Sequence, residues 1–150
     1  MDNYRETLLS PITIGNRVCR NRFVIQAMEC ADADEHGNPT PLTVERYSNL
    51  FQGEAGMVTL EAITVTKESR GRLAQLSIMP ENAKPLEKFV GNLKKINPDS
   101  LFVFQLTHSG ELSHPGFSRR VTVKPLHGYG GELLSEEEVD GIIDQFVLAA

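Results

Sequence analysis

The sequence predicts an α/β fold built from repeated strand–helix units. Three apolar runs, at residues 23–25, 57–60 and 101–104, each end on polar side chains, and helical sequence follows each of them. Strand–helix units repeated in this way imply parallel strands joined by right-handed crossovers. A complete (β/α)8 barrel takes about 250 residues. We therefore expect a partial TIM barrel of about three βα units, preceded by an N-terminal hairpin.

Composition and net charge limit the classes of function that are expected of this chain. The 150 residues carry a net charge of −5 and are 40% hydrophobic, which is ordinary for a globular domain. Without a basic run, nucleic-acid binding is not expected, and a small-molecule substrate is favoured. The sequence contains neither a signal-peptide core nor an apolar stretch of the roughly 20 residues that a membrane helix needs, so a cytoplasmic protein is expected. Cys19 and Cys30 have no metal-ligand or redox spacing, and neither a disulfide nor a metal site is predicted.

The first elements are a hairpin and a strand. Residues 12–18 alternate apolar and polar side chains around Gly15 and Asn16, which favours a small hairpin. Residues 23–25 predict a strand that is buried on both faces, with residues 26–29 at its carboxyl end. Residues 31–41 are rich in Asp, Gly, Asn and Pro and predict a loop of the kind that commonly carries binding residues.

The sequence predicts one helix before the second strand and another helix after it. Thr43 is the expected N-cap of the first, which should end near Gly53 or Gly56. Residues 66–82 predict a polar loop, and the second helix should stop before Pro98. The apolar stripes that predict these helices are Val44, Tyr47, Leu50 and Phe51 in the first, and Leu86, Phe89, Val90, Leu93 and Ile96 in the second.

The third strand, residues 101–108, leads into a long loop at 109–134 and a last helix. Ser135 and Glu138 form a capping-box pattern that opens this helix. Its expected buried face consists of Val139, Ile142, Ile143 and Phe146. The helical periodicity still runs at Ala150, so we expect residues 1–150 to be the N-terminal portion of a barrel that is incomplete at its C-terminus. Open strand edges and apolar helix faces predict self-association or pairing with the rest of the barrel.

Five segments carry a resemblance to a known family. They are residues 9–16 (LSPITIGN), 20–22 (RNR), 26–28 (QAM), 61–62 (EA) and 105–110 (QLTHSG). Their identities and order resemble the Old Yellow Enzyme family of NADH:flavin oxidoreductases. The likeness covers essentially the whole chain and corresponds to the first part of the family's barrel.

The resemblance implies FMN at the carboxyl ends of the strands. NADH or NADPH would reduce the flavin, and hydride transfer to an electron-poor alkene or enoyl thioester would reoxidise it. Carried over by position, the residues implied to contact FMN are Gln26, Ala27, Met28, Glu29, Ala62 and Gln105. No catalytic residue is assigned, because the family's substrate-binding His pair and Tyr proton donor lie on the next strand. The family's flavin-phosphate site lies on the last two strands.

The residue types suit this role, with two departures. An amide such as that of Gln105 both donates and accepts hydrogen bonds, as the flavin pyrimidine does, and small residues let backbone approach the ring. Ala27 stands where the family usually has proline. Glu29 stands where it usually has Thr or Cys. As a carboxylate, Glu29 would disfavour the anionic reduced flavin and lower its potential; kept protonated by burial, it would donate a hydrogen bond instead.

Other interpretations remain open. The chain is alternatively a non-catalytic half-barrel that acts as an interaction or complementing module. A TIM-barrel lyase or aldolase is a third possibility, although no lysine lies at the three strand ends. Gln105 is alternatively a buried amide that satisfies neighbouring backbone, and Glu61 is expected to pair inside the barrel with a basic residue such as Arg22.

Three further features in the second half of the chain have ordinary explanations. His108 and His114 lack metal-ligand spacing, so a structural hydrogen bond is favoured over zinc. Residues 128–131 form a glycine-rich stretch that does not join a strand to a helix, and we interpret it as a flexible loop. Arg119 and Arg120 are interpreted as solvated loop charges, with an anionic ligand as the alternative.

Overall fold

Strand β4 (Met57–Thr64) is the centre of the structure. The computed structural model describes residues 2–124 and 129–150. Its remaining strands are β1 (Ile12–Ile14), β2 (Arg17–Cys19), β3 (Val24–Ile25), β5 (Leu101–Thr107), β6 (Val121–Thr122) and β7 (Glu132–Leu133), and its helices are α1 (Asp2–Leu9), α2 (Pro41–Gln52), α3 (Ala83–Ile96) and α4 (Glu136–Ala149). Strands β3, β4 and β5 form a parallel sheet in that order, and β1 pairs with β2 as an antiparallel hairpin. The predicted partial barrel with its hairpin is confirmed.

The core lies between β4 and the helices α2 and α3. Val58, Leu60 and Ile63 of β4 are fully buried. They belong to one cluster with the predicted stripes of the two helices, whose buried members are Tyr47, Phe51, Leu86, Phe89 and Leu93. Burial of about 1.5–3 kcal/mol per large apolar side chain makes this cluster the main source of stability. The two crossover helices therefore lie where the sequence pattern predicts them.

Helix α2 begins earlier than predicted. Its N-cap is Thr40, whose hydroxyl accepts a hydrogen bond from the Thr43 N–H at 3.3 Å. The Thr43 hydroxyl in turn accepts a hydrogen bond from the Thr40 N–H at 3.1 Å. The prediction of Thr43 as N-cap was wrong because Pro41 occupies the first helical position, where its fixed φ and missing N–H are well tolerated. The helix ends before Gly53, as expected, and α3 ends at Ile96, ahead of Pro98.

Strand β3 is short and open. The side chains of Phe23 and Val24 are 45% and 40% exposed, so the expected burial on both faces was wrong. Within the described residues β3 pairs with β4 alone. An edge strand has neighbours on one side only, and its apolar residues stay accessible.

Helix α4 starts as predicted but is not buried as predicted. Ser135 and Glu138 form the capping box, with Ser135 Oγ accepting from the Glu138 N–H at 3.2 Å. None of its residues is fully buried, and Ile143 is 52% exposed. The expected buried face was wrong because the described chain supplies little that packs against it. Periodicity alone does not reveal whether a partner is present.

The remaining segments contain little regular structure. The long loop after β5 holds one 3-10 turn and the two-residue strands β6 and β7. Residue 128, in the predicted flexible stretch, lies outside the described residues. Helix α1 was not predicted, because its sequence has no continuous apolar stripe. No helix among residues 2–124 and 129–150 is long and apolar enough to cross a membrane.

Gly37, the one glycine of the loop between β3 and α2, should not tolerate a side chain. Its φ is +81°, and an added Cβ would clash with Ser77 Oγ. We expect Gly37→Ala to lower the free energy of unfolding by about 2–4 kcal/mol, because overpacking adds to backbone strain. In contrast, Gly91→Ala on α3, where an added Cβ meets nothing within 4 Å, should stabilise by about 0.5–1 kcal/mol. Urea denaturation measures both, and an unchanged midpoint for Gly37→Ala would contradict the close approach.

Candidate functional site

The six residues predicted to contact a flavin lie at the carboxyl ends of the parallel strands. Gln26, Ala27, Met28 and Glu29 directly follow β3, and Ala62 and Gln105 are paired residues of β4 and β5. Since β3 pairs with β4 and β4 with β5, the three strands deliver these residues to one edge of the sheet. Ligands of parallel α/β folds bind at this edge.

The two amides at this edge are free to bind a ligand. Gln26 and Gln105 are exposed, and neither side chain has a hydrogen-bond partner within the described part of the chain. The alternative of a buried, backbone-bonded amide at position 105 was therefore wrong. Ala27 and Ala62 are half-buried, and Met28 is 69% exposed. Unpartnered amides beside small residues are the donor and acceptor set that a flat heterocycle such as flavin requires, so the residues present fit FMN.

A bulge in β4 turns Glu61 inward. The pairing of β4 with β5 shifts between Leu60 and Ala62, and Glu61, the extra residue, is fully buried. Its backbone N–H donates to Tyr47 Oη at 2.8 Å, and its Oε2 accepts from the Cys30 N–H at 3.1 Å. Burial raises the pKa of Tyr47 to about 12. The carboxylate thus joins β4 to helix α2 and to the segment after β3.

Arg46 is the counter-ion of this carboxylate. Its Nη2 donates to Glu61 Oε1 at 2.5 Å, and its Nε and Nη2 donate to the two oxygens of Asp32 at 2.8 and 3.0 Å. Burial alone would raise the pKa of Asp32, but the hydrogen bonds from Arg46 and Thr43 outweigh it and hold that pKa below its usual range. Glu61 therefore pairs with a basic residue, as expected, but not with Arg22, which donates to Ser10 Oγ.

Glu29 is half-buried beside a second arginine. Arg72 Nε lies 3.1 Å from Glu29 Oε1, an ion-pair contact that leaves this buried oxygen without a hydrogen bond. Burial raises the pKa of Glu29; the Arg72 charge opposes the shift, and the nearby Glu61 carboxylate adds to it. The protonated form of Glu29 is thus favoured relative to an exposed glutamate.

Gln75 bonds to the backbone at the carboxyl edge, and the sequence did not predict this role. Its side chain is buried, its Nε2 donates to the Ala62 carbonyl at 3.0 Å, and its Oε1 accepts from the Gly71 N–H at 2.9 Å. These contacts fix the backbone of Ala62 relative to the loop after β4. A glutamine within a polar loop carries no pattern that distinguishes this role.

The other singled-out residues have structural partners. His108 Nδ1 accepts from the Gly110 N–H at 3.1 Å, and burial lowers the pKa of His108. Arg119 pairs with Glu132 at 2.8 Å and Glu138 at 2.7 Å, which ties the long loop to α4. No group of metal-binding side chains occurs among the described residues, and both cysteines are free thiols, with Cys19 buried and Cys30 exposed.

Removing Arg46 should destabilise the chain strongly. Arg46→Met leaves the carboxylates of Glu61 and Asp32, which are 0% and 6% exposed, without their counter-ion. We expect a loss of about 3–5 kcal/mol in the free energy of unfolding, the range for breaking a buried pair. Arg119→Met, which removes an arginine whose carboxylate partners are solvent-exposed, is the matched control and should cost much less, because water screens exposed ion pairs. Urea denaturation compares them, and equal losses would contradict a buried role for Arg46.

The chain is similar to a known protein family over almost its whole length. Residues 7–150 match the family described as NADH:flavin oxidoreductase / NADH oxidase. The chain is 35% identical over 106 residues to an NADPH dehydrogenase of Bacillus cytotoxicus, covering 69% of this chain and 30% of that protein. It is 26% identical over 151 residues to an NADH oxidase of Thermoanaerobacter brockii, covering 95% of this chain and 23% of that protein.

Solved structures show the same fold. An Old Yellow Enzyme from Trypanosoma cruzi superposes with a TM-score of 0.81 at 22% identity, covering 96% of this chain and 46% of its own. One from Pichia sp. AKU4542 gives a TM-score of 0.84 at 17% identity, with coverage of 96% and 42%. The chain therefore spans less than half of each of these two structures and under a third of the two curated relatives. Because the family match extends over residues 7–150, the chain belongs to the NADH:flavin oxidoreductase / NADH oxidase family.

Proposed function

We propose that this chain supplies the N-terminal, FMN-contacting part of a NAD(P)H-dependent oxidoreductase barrel. In that reaction hydride passes from NADH or NADPH through FMN to an electron-poor alkene or an enoyl thioester. Family membership supports the flavin and the nicotinamide reductant. The observation that carries the proposal is the pair of unpartnered amides, Gln26 and Gln105, beside two alanines at the carboxyl edge of the sheet.

Each residue of the edge has a different role in binding the flavin. The Gln105 amide donates to and accepts from the flavin pyrimidine, while Ala27 and Ala62 leave room for the ring beside the backbone. Met28, largely exposed, provides an apolar contact surface. FMN, when bound, supplies the hydride-accepting chemistry; the chain binds and orients it. The buried Arg46–Glu61 pair holds the two strand ends together.

Residues 1–150 act in this proposal as one portion of a larger barrel. The open edge of β3 and the apolar side of α4 support pairing with the remaining barrel or self-association, since Ile143 and Val147 are 52% and 71% exposed. The same surfaces favour the second candidate, a non-catalytic interaction module. We place the protein in the cytoplasm, a compartment that suits its two free thiols.

Retention of FMN tests the proposal directly. The purified protein is incubated with FMN, desalted and examined for flavin absorbance at about 370 and 450 nm. We expect binding, and we expect Gln105→Leu to weaken it roughly tenfold, because a lost hydrogen bond is worth about 1–1.5 kcal/mol. Gln52→Leu, an exposed glutamine at the end of α2, is the control and should bind like the parent.

Two results would contradict different parts of the proposal. Complete loss of flavin from the parent chain would show that the three strand ends do not hold FMN by themselves. That loss would also favour the second candidate, the interaction module, because the two candidates differ in whether FMN stays bound. Equal affinity of the parent and Gln105→Leu would remove Gln105 from the site.

Glu29 should lower the potential of the bound flavin in a pH-dependent way. Above its raised pKa the carboxylate disfavours the anionic reduced flavin, so Glu29→Gln should raise the midpoint potential. Below that pKa Glu29 is already neutral, and the difference should shrink. Spectroelectrochemical titration of the FMN-loaded protein at a series of pH values from 8 downwards measures it. Identical potentials at pH 8 would exclude this role.

A further inference from the structure

A cavity that none of the six flavin residues lines also lies at the carboxyl edge. It has a volume of about 260 Å³ and lies between the loop after β3 and the loop after β4. Its walls include Glu35 and His36 from the first loop and Lys67, Arg70 and Ser77 from the second. We call it the Arg70 cavity. Its position is one where parallel α/β folds commonly bind ligands.

Arg70 is an interior arginine without a carboxylate. The residue is 6% exposed, and no Asp or Glu of the described chain lies within ion-pair distance of it. Its Nη1 donates to the carbonyls of Glu35 and Leu73, both at 3.0 Å. Its Nε is buried without a partner. Its Nη2 makes no hydrogen bond among the described residues, and it is not one of the buried, unpartnered atoms.

Arg70 differs from Arg46 in having no carboxylate partner among the described residues. Arg46, which is more exposed, bonds two carboxylates at 2.5–3.0 Å. Arg70 has two neutral carbonyls and the ring of Phe117, whose centroid is 5.5 Å from its Cζ. A buried cation without a counter-ion is strongly disfavoured, and neutral dipoles offset only part of that cost. An anion from outside would complete the site.

Neighbouring groups add to the attraction. Lys67 lies on the cavity wall and has no ion pair in the described structure, and Ser77 Oγ is buried without a partner. The carboxylates of Glu35 and Glu81 also border the cavity but belong to exposed residues. Water screens exposed charges far more than buried ones, so the guanidinium dominates the field inside.

We propose that the Arg70 cavity binds a phosphate-sized oxyanion, free or as the anionic group of a larger ligand. A guanidinium suits phosphate because its N–H groups match the oxygens of a tetrahedral anion. The volume is below the 300–1,000 Å³ of most drug-sized sites, which restricts the enclosed part to a small group. One candidate source is the 2′-phosphate that distinguishes NADPH from NADH; only this source rests on the proposed function.

Amide chemical shifts test the site without any flavin. The 150-residue protein is titrated with inorganic phosphate against chloride at constant ionic strength, while ¹H–¹⁵N spectra are recorded. We expect saturable shifts at residues 35–36, 67–70 and 77. Arg70→Lys, which keeps the charge but loses the planar fork, should weaken the Kd at least roughly tenfold. Lys67→Gln should weaken it about two- to fivefold, and Lys84→Gln on exposed α3 surface should leave it unchanged.

The possible results distinguish a specific anion site from non-specific binding, and one source of the anion from the other. Shifts that do not saturate, or that match those in chloride, would overturn the proposal, and so would an unchanged Kd in Arg70→Lys. If Arg70→Lys does not fold, the parent titration and the pair Lys67→Gln and Lys84→Gln decide. Competition by NADPH but not NADH would identify the nucleotide phosphate as ligand, whereas saturable phosphate binding without either competing would support a free oxyanion. Flavin absorbance reports independently on the proposed function.

Discussion

The guanidinium of Arg46 is the contact on which the rest of the edge depends. It lies between Asp32 and Glu61 and bonds three carboxylate oxygens, so helix α2, strand β4 and the segment after β3 share one charged centre. Asp32 in turn accepts from Thr43 in the first turn of α2. With Glu61 fully buried, neither partner can be lost without leaving an uncompensated charge inside. The Cys30 N–H, which donates to Glu61 Oε2, therefore ties the end of residues 26–29 to this charged centre.

The bulge at Glu61 gives this centre a second consequence. Without the register shift, the alignment that pairs Leu60 with Phe104 would place Glu61 opposite Gln105. With it, Ala62 is the partner of Gln105, and Glu61 turns into the interior. One inserted residue thus replaces a carboxylate with a methyl group beside the free amide. The space next to Gln105 and the buried ion pair under it have the same structural cause.

Local pattern predicted the elements that the chain determines by itself. The hairpin around Gly15, the stripe of α3 and the capping box at Ser135 depend on neighbours within a few residues, and all three are found. Failures came where the outcome depends on distant or absent neighbours. Glu61 was expected to pair with a basic residue such as Arg22, and the packing of α2 against β4 makes that residue Arg46. The open faces of β3 and α4 follow from what packs beside them, which no periodicity encodes.

The sequence predicted some residues of the carboxyl edge and missed others, and the difference follows from their burial and contacts. Gln26 and Gln105 were named through the family resemblance, and their exposure at the strand ends agrees with that prediction. Arg70 and Gln75 were not found, because an interior polar side chain is defined by the contacts it makes or lacks. Among the buried arginine contacts, those of Arg46 are neutralised within the fold and those of Arg70 are not. The carboxyl edge therefore presents neutral hydrogen-bonding groups at one place and an uncompensated positive charge at another, which favours a ligand or a set of ligands with both a neutral polar face and an anionic group.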